Sequence, residues 1–275
     1  MGTLYVVATP IGNLEDVTLR AIRVLREVEL VLAEDTRRTR TLLTQHDIGN
    51  RPRSLHAHNE AQRSREVLEV LASGSSVALV SDAGTPLVSD PGERLVAAAI
   101  EAGHPVVPIP GASAILSALV VSGLPAAPFL FLGFLPRRKG ERNALLARIR
   151  ERTETVVLFE SPRRLAATLR QLADALGARP ACVARELTKL HEEVARGSLP
   201  ELAERFAEGT RGEVTLVIGG AEEAPALDDA ALEERIRGLV AEGKTAREVA
   251  AALAPEAGLP KREIYARALA AREER

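Results

Sequence analysis

Short apolar segments alternate with more polar ones along the first 123 residues. The apolar segments are mostly rich in β-branched residues and predict strands at 5–8, 29–33, 53–57, 76–80 and 105–109. The segments between them predict helices, several with apolar side chains at helical spacing, at 17–26, 59–72, 91–102 and 112–121. Strands without regular polar alternation indicate a mostly parallel sheet covered by helices on both faces.

Leu124-Pro125-Ala126-Ala127-Pro128 interrupts this pattern and predicts the end of an N-terminal α/β domain of residues 1–123. Residues 124–222 again alternate strands and helices and predict a second α/β domain with antiparallel character. A small-residue linker runs from Gly219 to Pro225. Residues 223–275 carry no strand signal and predict a helical tail resembling a helix–turn–helix, with a capping box at Thr245–Glu248. Such a module binds nucleic acid or serves packing and dimerisation.

Composition places the chain among ordinary folded proteins. Its 275 residues are 46% hydrophobic and 27% charged with a net charge of −2, which excludes a disordered chain and a protein that coats nucleic acid non-specifically. No apolar run is long enough to span a bilayer, and the N-terminus lacks a signal-peptide pattern. Cys182 is the single cysteine, so no internal disulfide forms. We therefore expect a cytoplasmic protein without a membrane partner.

Three loops of small residues follow three predicted strands of the first domain: residues 9–14, 81–92 and 110–114. In open α/β sheets, ligands bind at the carboxyl ends of parallel strands. Ala83 and Gly84 would let a ligand approach the main chain closely, and the helix after this loop begins with free N–H groups. Each loop alone also fits an ordinary tight turn. Three such loops at one sheet edge favour a shared cleft.

Charged residues end other predicted strands, at 34–37, 159–163 and 185–189. We expect these groups from the two domains to face each other across an interdomain cleft. The alternative is a set of solvated ion pairs, such as Glu186 with Lys189, that contribute little. The sequence holds no Gly-x-Gly-x-x-Gly, no phosphate-binding P-loop and no Gly-x-Ser-x-Gly elbow. Its five histidines lack metal-site spacing, although His56 and His58 would share a strand face, so no metal is predicted.

Six segments in order resemble the tetrapyrrole methylase superfamily, and within it the ribosomal RNA small subunit methyltransferase I branch, over nearly the whole chain. They are residues 8–14, 33–37, 81–86, 110–114, 159–163 and 185–189. The resemblance implies two α/β domains of the non-classical, class III methyltransferase type, with S-adenosylmethionine folded into the cleft between them. It also implies a homodimer and 2′-O-methylation of a cytidine ribose at the decoding site of 16S rRNA in the 30S subunit.

Carried over by position, the resemblance implies a donor site made of Pro10, Asp82, Ala83, Gly84, Val88, Ser113, Phe159, Leu187 and Thr215. Candidates for a general base are Glu160, Glu186 and Lys189, although a base need not be essential. Candidate RNA-binding residues are Asp35, Arg37, Arg137, Arg138, Lys139 and Arg142.

Two other functions compete with this one. Tetrapyrrole-modifying relatives have Gly-Asp-Pro where this chain has Gly84-Thr85-Pro86, which weakens the assignment of a tetrapyrrole substrate. The low aromatic content, 3%, also counts against methylation of a porphyrin-like molecule. The last alternative is a non-catalytic regulator that binds nucleic acid through the tail, and it predicts salt-dependent duplex binding by residues 228–275 alone.

Overall fold

The computed structural model describes residues 1–56, 59–222 and 228–273. Ala57, at the end of a predicted strand, His58, and positions 223–227 of the predicted linker and tail lie outside the described residues. Within the described ranges, no helix is both long and apolar enough to cross a bilayer.

The first sheet has five parallel strands in the order β3-β2-β4-β1-β5. These strands are β1 (Leu4–Val7), β2 (Leu30–Ala33), β3 (Arg53–Ser54), β4 (Val77–Val80) and β5 (Val106–Ile109). The helices among them are α1 (Leu19–Glu27), α2 (Thr36–Gln45), α3 (Glu60–Ala72), α4 (Glu93–Glu101) and α5 (Ala114–Ser122), with a 3-10 turn at Leu14–Asp16. Strands β2 and β4 are buried at every position, as their continuous apolar sequence predicts.

Helix α2 was not expected from the sequence, because five of its ten residues are threonine or glutamine and three are arginine. It begins at Thr36 because the Asp35 carboxylate accepts the Arg37 backbone N–H at 2.9 Å, as an N-cap does. Leu42 and Leu43 then bury one side of the helix in the core with Val31 and Ala33 of β2. Tertiary packing therefore outweighs weak helix propensity here.

The second sheet is mixed, with the order β6-β7-β10-β8-β9 and parallel pairing only between β6 and β7. Its strands are β6 (Phe129–Phe134), β7 (Thr155–Glu160), β8 (Pro180–Arg185), β9 (Glu193–Ser198) and β10 (Val214–Ile218). Its helices are α6 (Lys139–Ile149), α7 (Leu165–Leu176) and α8 (Leu199–Arg205). The predicted α/β class and the antiparallel character of this part are confirmed.

By its contacts the chain divides into two compact units, Met1–Gly220 with both sheets and Ala221–Arg275. The predicted boundary between residues 123 and 124 falls inside the first unit and stays a prediction. In the second unit α9 (Asp229–Ala241), α10 (Ala246–Ala257) and α11 (Lys261–Glu273) share their own apolar core. The predicted capping box is confirmed, since Thr245 Oγ1 accepts the Glu248 N–H and the Glu248 carboxylate accepts the Thr245 N–H at 2.8 Å.

Candidate active site

The three loops of small residues meet at one edge of the first sheet, as predicted, because β4, β1 and β5 are neighbouring parallel strands. Thr9 and Gly84 exchange two backbone hydrogen bonds, of 2.9 and 3.0 Å, which tie the first loop to the second. Gly84 has a φ of +85°, a conformation that glycine adopts without steric cost. Gly111 packs the third loop onto Ala8, directly before the first loop, since a Cβ there would lie 3.0 Å from the Ala8 Cβ.

A cavity of about 370 Å³ opens between these loops and the second sheet, and we call it the Phe159 chamber. On the side of the first sheet its walls include Ile11, Ala83, Val88 and Ala114. On the side of the second sheet they include Phe134, Phe159, Pro162, Leu187 and Thr215. The ring of Phe159 lies 5.0 Å from that of Phe131 and 5.8 Å from that of Phe134, so this wall is a small aromatic cluster.

A second cavity of about 310 Å³, the Lys189 chamber, adjoins the first and shares Ile11, Ala83 and Glu213 with it. Its walls also include Thr9, Pro10, Arg38, Thr41, Asp82 and Lys189. The two chambers therefore form one cleft whose junction carries a carboxylate, Glu213, and a cation, Lys189. Space for two reactants that meet at a polar junction suits a group transfer between them.

Lys189 sits between two carboxylates, with Nζ 2.8 Å from Glu186 Oε1 and 3.1 Å from Glu213 Oε2. Burial alone would lower the pKa of Lys189, but the hydrogen bonds to Glu186 and Glu213 outweigh it and raise this pKa. The pKa of Glu186 is lowered, mainly by its hydrogen bond from Lys189 and next by the hydrogen bond from the Glu213 backbone N–H. At neutral pH the site thus holds an ammonium and an ionised carboxylate. A lysine held as ammonium provides positive charge and does not accept a proton.

Glu160 ends β7 as a buried carboxylate whose two oxygens are already occupied. Thr168 donates to Oε2 at 2.6 Å, and the Ser161 backbone N–H donates to Oε1 at 2.7 Å. Arg164 adds an ion pair at 3.3 Å. These partners suit a residue that fixes the 159–163 segment along the Phe159 chamber more than one that exchanges protons.

The predicted donor residues divide between the chambers. Val88, Phe159, Leu187 and Thr215 line the Phe159 chamber, Pro10 and Asp82 line the Lys189 chamber, and Ala83 lines both. Gly84 shapes the second loop, and Ser113 precedes the wall residue Ala114 and caps α5 through a 3.4 Å bond from the Leu116 N–H. Asp82 also accepts the Asp35 backbone N–H at 2.8 Å, which ties the ends of β4 and β2 together.

The predicted RNA-binding residues occupy two separate surfaces. Arg37 forms a bidentate pair with Asp35, with distances of 2.7 and 3.0 Å, and this pair lowers the pKa of Asp35. Arg137, Arg138, Lys139 and Arg142 follow β6 at the start of α6, where Arg138 pairs with Glu141 at 3.2 Å. In the described part of the chain, the walls of the two chambers do not include this second group.

The walls also include residues outside the predicted donor, base and RNA-binding sets, among them Phe134, Arg38 and Glu213. Phe134 is 52% exposed at the end of β6, and Arg38 of α2 lies 3.9 Å from Glu213. An aromatic residue at a strand end, in a chain with five phenylalanines, was the available signal for Phe134. Glu213 directly precedes β10. A search for charged residues at the beginnings of strands, as well as at their ends, would have identified it.

Residues 3–203 match the family described as tetrapyrrole (corrin/porphyrin) methylases. The chain belongs to this family. As a member of a methylase family it is an enzyme, which sets aside the hypothesis of a non-catalytic regulator. Proteins named ribosomal RNA small subunit methyltransferase I are similar to this methylase over most of their length. The one from Micromonospora olivasterospora is 50% identical, covering 96% of this chain and 85% of that protein. The one from Bacillus subtilis is 42% identical, covering 96% and 93%.

Solved structures show the same fold. Uroporphyrin-III-C-methyltransferase from Thermus thermophilus superposes with a TM-score of 0.58 at 24% identity, covering 80% of this chain and 94% of that one. Diphthine synthase superposes with a TM-score of 0.62 at 19% identity, covering 80% and 90%. These low identities bear on the fold of the methylase alone.

Proposed function

We propose that this chain methylates small-subunit ribosomal RNA with S-adenosylmethionine, at the 2′-hydroxyl of a cytidine ribose in the decoding site of 16S rRNA. The observation that carries the proposal is the pair of chambers joined at Glu213, which provides one space for a donor and one for an acceptor. The similarity to proteins named ribosomal RNA small subunit methyltransferase I supports RNA as the acceptor.

The Phe159 chamber fits the donor. Its volume of about 370 Å³ lies within the usual range of small-molecule pockets, about 300–1,000 Å³, and its wall is mostly apolar with a few polar groups. The donor would be held by Val88, Phe159, Leu187 and Thr215. The 81–92 loop would contact the donor with main-chain groups. A Cβ on Gly84 of this loop would lie 3.4 Å from the Ile11 Cγ2. S-adenosylmethionine supplies a methyl group activated by a sulfonium.

The chain's own contribution is positioning and electrostatics. Holding the ribose oxygen, the methyl carbon and the sulfur in line supplies a large part of the rate. Lys189 places its ammonium at the junction of the chambers, and Glu186 holds it there through the 2.8 Å contact. Glu160 fixes the 159–163 segment through Thr168 and the Ser161 N–H. We assign these three candidates such positioning and electrostatic roles.

The RNA contacts extend the same proposal. Arg37, beside its partner Asp35, and the group Arg137, Arg138, Lys139 and Arg142 are assigned to the RNA backbone, because their side chains reach the surface. We also propose a cytoplasmic homodimer, since the assembled 30S subunit is a cytoplasmic substrate. Leu116 and Val120, which are 53% and 73% exposed on α5, support a protein contact there. Light scattering of the purified chain tests the dimer.

The function is tested by deleting the gene and mapping ribose methylation of the 16S rRNA. One decoding-site cytidine should lose its 2′-O-methyl group, and purified protein with S-adenosylmethionine should restore it on 30S subunits from the deletion strain. Calorimetric titration should show donor binding to the protein alone. A deletion strain that keeps every ribose methyl group contradicts the proposal. Incubation with uroporphyrinogen serves as the control for tetrapyrrole methylation, and no transfer is expected.

A further inference from the structure

Helix α2 separates the Lys189 chamber from a groove on another side of the helix. Arg38, Thr41 and Leu42 line the chamber, whereas Arg40, Leu43 and Thr44 line a groove of about 470 Å³ on another side of the same helix. We call this the α2 groove. Its remaining wall is the loop 48–51, which ends in Arg51. A chain that occupies the chamber therefore has a groove within the width of one helix, about 10–12 Å, to continue into.

The α2 groove has a fixed shape. The Asn50 side-chain amide donates to the carbonyl oxygens of Leu25 and Val28, at 2.8 and 2.9 Å, which anchors the loop to the end of α1. The Ile48 backbone N–H donates to the Leu43 carbonyl at 2.9 Å, and the Ile48 side chain is buried. The loop is thus held against α2 at Ile48 and against the end of α1 at Asn50, so that Arg51 of the loop and Arg40 of α2 line one groove.

The surface around the groove is also strongly basic, and Arg40 and Arg51 line the groove itself. Residues 36–53 contain five arginines, at 37, 38, 40, 51 and 53, and one acidic residue, Asp47. Arg37 and Arg38 have carboxylate partners in Asp35 and Glu213. Within the described ranges, Arg40, Arg51 and Arg53 are exposed and no carboxylate pairs with them. Arginines left without internal partners on a preformed surface are suited to bidentate contacts with phosphate.

We propose that the α2 groove binds backbone phosphates of the RNA strand next to the nucleotide that enters the Lys189 chamber. The inference rests on the proposed function, because it takes RNA as the acceptor. Arg40 and Arg51 hold the phosphates, and α2 acts as the ridge over which the strand passes. These contacts set the affinity and position of the RNA and leave the transfer step itself unchanged.

The test compares the double variant Arg40→Ala/Arg51→Ala with Arg170→Ala, which removes an exposed arginine without a carboxylate partner from α7. Methyl transfer is measured on 30S subunits from the deletion strain at several salt concentrations. The double variant should raise KM for the subunits roughly ten-fold, and it should lower the slope of log KM against log salt by about 1.4, or about 0.7 for each lost single-strand phosphate contact. The kcat and the KM for S-adenosylmethionine should stay at the wild-type values.

Two further variants separate loss of charge from other effects of the substitutions. Arg40→Lys/Arg51→Lys keeps both charges and should recover most of the affinity, and Arg170→Ala should match the wild type in KM and in salt slope. An unchanged KM and slope in the alanine double variant overturns the inference while the proposed function stands. A wild-type protein that transfers no methyl group to ribosomal RNA removes the proposed function and this inference with it.

Discussion

Gly12 and Lys189 pack against each other across the cleft, so closely that a Cβ on Gly12 would lie 2.5 Å from the Lys189 Cγ. The same Cβ would lie 2.9 Å from Thr188 Oγ1. The absence of a side chain at Gly12 is therefore what lets the loop after β1 approach the 185–189 segment. Through this contact the first loop fixes the stem of the lysine that stands between Glu186 and Glu213.

Gly12→Ala should displace Lys189 from its carboxylates and lower kcat. Removing one preorganised charged donor from an active site typically costs about 10²-fold or more in rate, and Lys189→Met should show a loss of that size with little change in donor affinity. Gly238→Ala in α9 is the matched control, because a Cβ there meets nothing within 4 Å. Steady-state kinetics of the three variants provide the measurement. Wild-type kcat in both Gly12→Ala and Lys189→Met would contradict the role given to this lysine.

Gly84→Ala should destabilise the fold and weaken donor binding together. The positive φ of +85° costs an L-residue about 1–2 kcal/mol in unfolding free energy, and the new methyl group would contact Ile11, a wall residue of both chambers. Gly74→Ala separates the two effects, since Gly74 has a φ of +94° with open space around it at the turn after α3. Urea unfolding should show similar losses for both variants, and calorimetry should show weaker S-adenosylmethionine binding only for Gly84→Ala. Equal donor affinity in the two variants would place the donor elsewhere.

The sequence predicted the loops of this site better than its walls. The segments 9–14, 81–92 and 110–114 could be found because small residues after apolar strands mark the carboxyl edge of a parallel sheet, whatever the rest of the chain does. Arg38 could not be placed in a wall, because its helix owes its existence to the Asp35 cap and to the burial of Leu42 and Leu43. Glu213 reaches the junction through contacts with Lys189, Glu186 and Arg38, which are far away in sequence.

Phe134→Ala should weaken donor binding with little loss of stability. The ring is 52% exposed and lies in the Phe159 chamber, so its removal exposes little core. Stacking of a base on an aromatic ring is worth about 1–3 kcal/mol, so we expect roughly a ten-fold loss of S-adenosylmethionine affinity. Phe129→Ala, at the other end of β6 and 39% exposed, is the control and should bind the donor normally. Titration calorimetry compares the two, and equal affinities would remove Phe134 from the donor site.

Asp90→Asn should stabilise the protein at neutral pH. Burial is the main reason that the pKa of Asp90 lies above its ordinary value; the hydrogen bond from Ser81 opposes the shift, and the nearby Asp82 adds to it. A carboxyl whose pKa is raised in the folded state binds more protons there than in the unfolded chain, so stability falls as pH rises above about 4 through the raised pKa. An amide removes this cost and can still accept the Ser81 hydroxyl. Urea unfolding of both proteins between pH 4 and 8 should show their stabilities diverging as pH rises, in favour of Asp90→Asn. A wild type that gains stability relative to this variant over that range would mean that the charged form of Asp90 is favoured in the fold.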